Sequence, residues 1–501
     1  MPSNMKTAAA PAALIVIMLM LPSCGFRPAD ADVSFGPEKP SEGAELALMD
    51  GIPGEKIGYM LYDLDRKAVV RSHNRARPFI PASTTKVFSS VFALDVLGPD
   101  YRFETYLKYR GSISNGVLKG DLYLKGTGDP LLTVSDLMDM VDRMKEKGIT
   151  SVTGRLYYDD SELASSASID PDMEPDVSFN TGVSALSLEY NSIMAEWKRD
   201  RKSNAMEIYL TPTLPMNRTG ISKEKLRENI KFTYRNLGGS ESWLLSPDET
   251  RDGSERLPVK NPSLYTAQMF AKLCEMRGIR IQGRPGPGAM PGSADEIVTH
   301  RGQPLRDIVD LTLTYSINLM AELMMLAAAK EQSGNILKLD GAARELSTYL
   351  SVRLERINWK GCALVNGSGL TPKNRITPEQ MMAVLIYADA QDYNGRKFRS
   401  FLPASGWEWS LMNRFGDPKT AFHVWAKTGT INYALALAGY LYTRSHRNMA
   451  FVIYISDIDA RRLYDADPDR RNKGSMAWVF AWQNSSKKVM DSIVTGWIEE
   501  L

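Results

Sequence analysis

The stretch Pro81-Ala82-Ser83-Thr84-Thr85-Lys86, followed by the apolar run 87–97 and closed by Gly98-Pro99, decides how this chain is read. Ser83 stands where a helix N-cap stands, and Gly-Pro is a stop signal. The run between them is apolar on nearly all faces, which predicts a helix buried in the centre of a domain rather than lying on its surface. On a helix, positions i and i+3 share a face, so Ser83 and Lys86 lie one turn apart. Burial disfavours the charged form of a lysine, leaving an amine able to take a proton from a serine hydroxyl. The helix start also offers an unpaired backbone N–H at Ser83 to a developing oxyanion.

The rest of the chain contains no better-known hydrolase machinery. There is no G-x-S-x-G and no H-E-x-x-H, and none of the four histidines (His73, His300, His423, His446) has neighbours that mark it as a base. Lysine is the available activator. Beyond the first 23 residues the S-x-x-K pattern occurs three times, at Ser83/Lys86, Ser222/Lys225 and Ser485/Lys488. Ser222 sits among Lys223, Glu224, Lys225 and Arg227, a solvated charged stretch, and Ser485 lies in a tail helix beside Lys487 and Lys488. S-x-N recurs, for example at Ser178/Asn180, Ser316/Asn318 and Ser333/Asn335, and of these only Ser316 opens a long apolar helix. K-T-G occurs once, at Lys427-Thr428-Gly429, in a strand-like segment.

S-x-x-K on a helix, S-x-N at a helix start and K-T-G on a strand, in that order, resemble the penicillin-recognising serine enzymes. Pro81-Ala82-Ser83-Thr84-Thr85-Lys86, the turn Gly126-Thr127-Gly128-Asp129-Pro130, Asn366-Gly367-Ser368-Gly369-Leu370, Ala426-Lys427-Thr428-Gly429-Thr430 and Leu437-Ala438-Gly439-Tyr440 are similar to the class C low-molecular-mass penicillin-binding proteins, the D-alanyl-D-alanine carboxypeptidase/endopeptidases. The resemblance runs from about residue 55 to about 460, and the long interval between Lys86 and Ser316 suits a class with domains inserted there. Two positions depart from it: Ile317 where aspartate is frequent, and Asn432-Tyr433 where a small residue is common.

The resemblance implies an acyl-transfer mechanism on peptidoglycan stem peptides, with β-lactam antibiotics acylating the same serine. Ser83 is the nucleophile and Lys86 its base; Ser316 passes a proton to the leaving amine with support from Lys427. Asn318 holds the substrate amide. Thr428, Gly429 and Thr430 form the substrate strand, the two threonines taking the terminal carboxylate. The N–H groups of Ser83 and Thr430 bind the oxyanion. No metal or organic cofactor is implied. A β-lactamase on the same machinery and a non-catalytic envelope binding lipoprotein stay open as alternatives.

The fold expected is α/β of the α+β kind: a transpeptidase/β-lactamase-like catalytic domain with an antiparallel sheet flanked by helices, plus inserted β-rich accessory domains. Residues 46–100 and 298–501 make the catalytic domain, with sheet strands from both chain ends (58–71 and 422–456), and residues 101–297 the insertion. Expected catalytic-domain helices cover 317–330, 341–354, 378–390 with Thr377 as N-cap, and 475–501, the last weakened by Gly496. In 366–370 a site lining and a plain tight loop are equally open. Cys274 and Cys362 read as packing residues.

With 501 residues and 43% hydrophobic content the chain is too long for one ordinary domain. Its formal charge of +2 excludes the basic excess of a nucleic-acid binder. Three cysteines exclude a disulfide scaffold. Residues 1–23 read as an export signal: Lys6, an apolar stretch 8–21, then small residues, with Met5 an alternative start. Leu21-Pro22-Ser23-Cys24 resembles a bacterial lipobox, despite Pro22, and implies a lipid on Cys24 and a membrane-anchored envelope protein. Residues 24–45, rich in proline and acids, read as a flexible linker.

Overall fold

The computed structural model describes residues 26–29, 32–36, 51–203 and 205–501. The signal segment 1–23 and the lipobox cysteine Cys24 lie outside the described residues.

A five-stranded antiparallel sheet draws its strands from both ends of the chain, in the order Val424–Ile431, Ala434–Tyr442, Asn448–Ser456, Ile57–Asp63, Ala68–His73. The Ile57–Asp63 strand and nearly all of Asn448–Ser456 are buried throughout. That is why they read as continuous apolar runs: both faces are covered, and alternate residues serve different cores. Met60, Val452, Tyr454, Ala438 and Tyr440 face the core that holds the Thr85–Leu97, Asn318–Ser333 and Pro378–Ala390 helices. Tyr59, Leu61, Phe451, Ile453 and Leu437 face the other, built on Met490, Ile493, Val494, Trp497 and Ile498 of the Lys473–Glu500 helix. That helix runs straight through Gly496, because Trp497 packs on Tyr59 and Phe451 at 5.6 and 6.3 Å. Burial on this scale outweighs the roughly 1 kcal/mol that glycine costs a helix.

The chain leaves this body along the Arg102–Ser114 strand and returns along Asp295–Pro304, which pairs with it until Arg102 stands opposite Pro304. Five further strands join these two in a seven-stranded sheet, and between the crossings also lie two three-stranded sheets and a separate apolar core. The core is closed by the Val134–Glu146 and Pro262–Met276 helices. Among the described residues no helix is long and apolar enough to cross a membrane.

Two expectations are corrected. Parts of the linker are docked, not loose. Phe26 stacks on Tyr393 at 5.1 Å, Val33 is buried, and Phe35 meets Tyr62 edge-on at 5.9 Å. Ala29 N–H donates to the Gln391 side chain at 2.6 Å, and Gln391 donates back to the Ala29 carbonyl at 3.0 Å. The average composition of 24–45 conceals three apolar anchors, each with a partner. The second correction is that Ser83 does not cap its helix. A short 3-10 turn, Ala82–Thr84, precedes the helix proper at Thr85–Leu97, and Ala82 is left-handed at φ 45°. Thr84 and Thr85 hydroxyls donate to the carbonyls of Pro81 and Ala82 at 2.7 and 2.8 Å. They secure the turn, so the Ser83 hydroxyl is not used up in holding it.

Candidate active site

The turn lifts Ser83 into a cleft of about 1470 Å³ that is also lined by Ser316, Asn318, Leu370 and Thr430. Lys86, one helical turn below, is completely buried. Its Nζ donates to Ser83 Oγ at 3.0 Å, to Asn318 Oδ1 at 2.7 Å and to the Ser368 carbonyl at 2.7 Å. Three acceptors use all three protons of an ammonium. Burial holds its pKa well below the usual lysine value; the nearby Lys427 charge lowers it further, while Glu322 pulls it back up. A lowered pKa lets this group give up the proton it directs at Ser83, leaving a serine hydroxyl beside an amine fixed from two other sides, which is what lysine-activated nucleophilic attack requires.

Asn318 begins the Asn318–Ser333 helix, and Ser316 forms the joint before it in a left-handed conformation at φ 60°. The Leu305–Tyr315 helix on the near side of that joint was not expected. Asn318 is engaged at both ends of its amide: Oδ1 accepts from Lys86, and Nδ2 donates to the Phe179 carbonyl at 3.1 Å. It thus orients the lysine, and as a cleft-lining residue it keeps a second amide hydrogen that these two contacts do not use.

Lys427 is fully buried in the Val424–Ile431 strand, its Nζ donating to the Thr428 carbonyl at 2.9 Å, and burial lowers its pKa to about 7. Thr430 is exposed to the cleft and Thr428 is half-buried. Gly429 is a glycine for want of room: a Cβ there would stand 2.8 Å from the Pro81 carbonyl oxygen and 3.0 Å from Ser83 N. The strand is thereby pressed against the serine's own turn, which brings Thr430 beside the Ser83 amide.

The 366–370 segment proves to be both a lining and a tight loop. Ser368 gives its carbonyl to Lys86, and Gly369 takes φ 77° with its Cα so close to Ala82 that a Cβ would stand 1.8 Å from that carbonyl oxygen. Sequence reasoning missed the residue that holds this loop. Glu322, fully buried, accepts from Gly367 N at 3.0 Å and Ser368 N at 2.8 Å. Burial raises its pKa, against the pull of those hydrogen bonds and of Lys86. A signal for it was present: it is the one acid in the apolar run 319–329, four residues after Asn318 and so on the same helix face.

The remaining motif copies are elsewhere. Ser222 bonds the Glu224 carbonyl at 2.8 Å, and Lys225 is an exposed partner of Asp248 at 3.3 Å. Ser485 and Lys488 are exposed on the last helix. Asn335 sits past the end of its helix, exposed. Asn180 is buried and pins the 169–180 loop through Ile169 N, Asp170 N and the Asp170 carbonyl. Cys274 is buried, its thiol pushed up to about 12, and Cys362 is half-buried; neither is bonded to another cysteine.

Comparison with known proteins bears on the same arrangement. D-alanyl-D-alanine carboxypeptidase DacB of Haemophilus influenzae is 24% identical over 417 residues, which cover 80% of this chain and 86% of the relative. The D-alanyl-D-alanine carboxypeptidase of Actinomadura sp. strain R39 is 25% identical over 465 residues, covering 86% and 84%. The crystal structure of penicillin binding protein 4 from Haemophilus influenzae is similar in fold, with a TM-score of 0.72 at 24% identity over 82% of this chain and 93% of that one. A structure of the same protein complexed with a novel β-lactam gives 0.69 at 23% identity over 82% and 92%. Residues 44–474 match a single family, so a chain that buries a lysine against a serine does so within a known lineage: it belongs to the D-Ala-D-Ala carboxypeptidase 3 (S13) family and is a serine-type D-alanyl-D-alanine carboxypeptidase.

Proposed function

We propose that Ser83 is the nucleophile and Lys86 the general base of this carboxypeptidase, acting on D-alanyl-D-alanine ends of peptidoglycan stem peptides. The observation that carries the reading is the 3.0 Å contact between Lys86 Nζ and Ser83 Oγ with the lysine wholly buried. Ser83 Oγ attacks the carbonyl carbon of the penultimate D-alanine as its proton passes to Lys86. The Ser83 and Thr430 N–H groups stabilise the oxyanion. The C–N bond breaks, and the leaving amine takes a proton through Ser316, with the Lys427 charge supporting the transfer. Thr428 and Thr430 bind the terminal carboxylate beside Gly429. Asn318 holds the substrate amide and positions Lys86. Water then cleaves the acyl ester, giving one proton back through Lys86 and restoring Ser83.

β-Lactams fit the same path, because their strained amide presents a carbonyl to Ser83 while the leaving group stays tethered. The penicillin binding protein 4 complex with a β-lactam supports this for a relative of the same fold. Residues 46–100 and 298–501 form the catalytic unit, and 101–297 the accessory unit. The enzyme belongs in the cell envelope, exported by residues 1–23 and held to a membrane by a lipid on Cys24. The activity test is release of D-alanine from a soluble pentapeptide ending in D-Ala-D-Ala: wild type releases it and Ser83→Ala does not. Release at the wild-type rate by a folded Ser83→Ala protein removes Ser83 from the role. Labelling cells with a fatty-acid analogue tests the anchor: wild type takes up the label and Cys24→Ser does not. Equal labelling refutes lipidation at Cys24.

A further inference from the structure

The cleft over Ser83 has two walls from distant parts of the chain. One is the 170–180 loop of the inserted block. The other comprises the Ile458–Ala466 helix, the turn that follows it and the start of the Lys473–Glu500 helix. The walls are fastened to each other. Arg470 pairs with Glu174 at 2.9 Å, and Arg471 with Asp176 at 2.8 Å. Arg471 also donates to the Asn229 carbonyl at 2.9 Å, and its own carbonyl accepts from the Asn229 side chain. Arg227 donates to the Pro468 carbonyl at 2.8 Å. On the floor side, Lys373 reaches the same loop through Asp172.

These contacts are not loose surface pairs. The Arg470 and Glu174 side chains are each 22% exposed, and Asp176 only 3%. Pairs shielded to that extent are screened less by salt than fully exposed ones, though they are not beyond its reach. None of the groups belongs to the Ser83–Lys86 machinery. Their geometric effect is to tie together the two walls of the cleft in which the nucleophile lies.

The two classes of bond open to a D,D-peptidase differ in how they can enter such a cleft. A free stem peptide has a loose D-alanine end that threads in. A cross-linked stem is tied to glycan on both sides of the scissile bond, so it enters only if the walls part. We infer that the clasp of Arg470 and Arg471 on Glu174 and Asp176 is a specificity device, favouring free stem ends over cross-links. The inference rests on the peptidase reading above. It gives the insertion a role at the substrate entrance, without any part in bond chemistry.

The test uses the full chain and two substrates: a soluble pentapeptide ending in D-Ala-D-Ala, and purified cross-linked sacculi with products resolved by mass spectrometry. Arg470→Ala/Arg471→Ala should leave kcat and KM for the pentapeptide within about twofold. It should raise the rate of cross-link cleavage about fivefold or more, the factor expected from losing about 1 kcal/mol of wall-to-wall attraction. Asp176→Asn, which keeps the shape and removes the charge, should move cross-link cleavage the same way, and it carries the test if the double variant does not fold. In wild type, added salt should raise the ratio of cross-link to pentapeptide cleavage more than in the double variant. An unchanged ratio in both variants, or a proportional fall in both activities, overturns the inference and leaves the contacts as structural only. Absence of pentapeptide cleavage in wild type would instead overturn the peptidase reading, so the two failures are distinguishable.

Discussion

Ser83-Thr84-Thr85-Lys86 and Ser222-Lys223-Glu224-Lys225 carry the same spacing of serine and lysine in two regions of one molecule. In the first, a 3-10 turn leads into a central helix, and Lys86 has no solvent exposure. In the second, the chain leaves an edge strand, the serine hydroxyl is spent on the Glu224 carbonyl, and the Lys225 side chain is 80% exposed. A lysine in water keeps its proton and is no base at neutral pH. Burial in an apolar helix, with a second buried lysine nearby, lowers the pKa and makes that proton easier to give up. The pattern therefore encodes chemistry only where packing removes water from the amine.

That contrast can be broken from either side. The largest effect is expected from Lys86→Ala, which takes the base from the first copy. Acylation by a fluorescent penicillin should slow on the order of 10³-fold or more, since nucleophile and base act as a unit. Stopped-flow labelling at neutral pH measures it, and a loss under tenfold would mean that another group takes the proton.

Gly369→Ala tests the backbone that shapes the first copy. The residue is at φ 77°, and the new methyl would meet the Ala82 carbonyl oxygen. The Ser368 carbonyl and the Ser83 turn cannot both stay in place. We expect acylation to fall roughly 10- to 100-fold, with thermal unfolding several degrees lower. Gly220→Ala in the inserted block is the counterpart: its Cβ would meet only Leu244 Cδ2, at 3.4 Å, and acylation should not change.

Lys427→Met removes the charge, together with the hydrogen bond to the Thr428 carbonyl, and keeps the apolar stem. Acylation needs neutral Lys86, so its rate rises with pH as Lys86 loses its proton. Below about pH 7 Lys427 is charged and depresses the Lys86 pKa. Removing that charge should raise the Lys86 pKa and move the acid limb of the pH–rate profile to higher pH; a shift the other way contradicts the assignment. Stability follows the same protons. Between about pH 7 and 10.5 the unfolded chain holds a proton on Lys427 that the folded chain does not. Stability therefore rises with pH across that window, and Lys427→Met should flatten the slope.

The smallest effect belongs to the second copy. Ser222→Ala and Lys225→Ala should leave acylation within about twofold, because an exposed ion pair contributes little and no cleft atom is touched. A tenfold loss in a folded protein would show that the accessory block reaches the chemistry.

The same contrast explains what the sequence could and could not disclose. The Thr85–Leu97 and Pro378–Ala390 helices, and the strands pairing across Ile57–Asp63 and Asn448–Ser456, were legible because their apolar runs are long and their ends carry turn residues. Thr377 caps its helix as expected, with Gln380 completing the reciprocal bond. The Val134–Glu146 helix is not legible in the β-rich reading of the insertion, although Thr133 and Asp136 form a capping box at its start. Glu322 was missed because its role is to hold a loop 45 residues away, a contact no local pattern encodes. The clasp was invisible for the same reason, since Arg471 and Asp176 meet across 295 residues of chain. Phe26, Val33 and Phe35 were read as linker because their partners, Tyr393 and Tyr62 among them, lie far along the chain.

The most direct test of the account is the intact mass of the protein after brief exposure to benzylpenicillin. Wild type, Ser222→Ala and Ser485→Ala should each gain one penicilloyl group, and peptide mapping should place it on Ser83. Ser83→Ala, folded by circular dichroism, should gain none. An adduct that persists in Ser83→Ala, or maps to another serine, would contradict the claim that burial of Lys86 singles out this one copy of the motif.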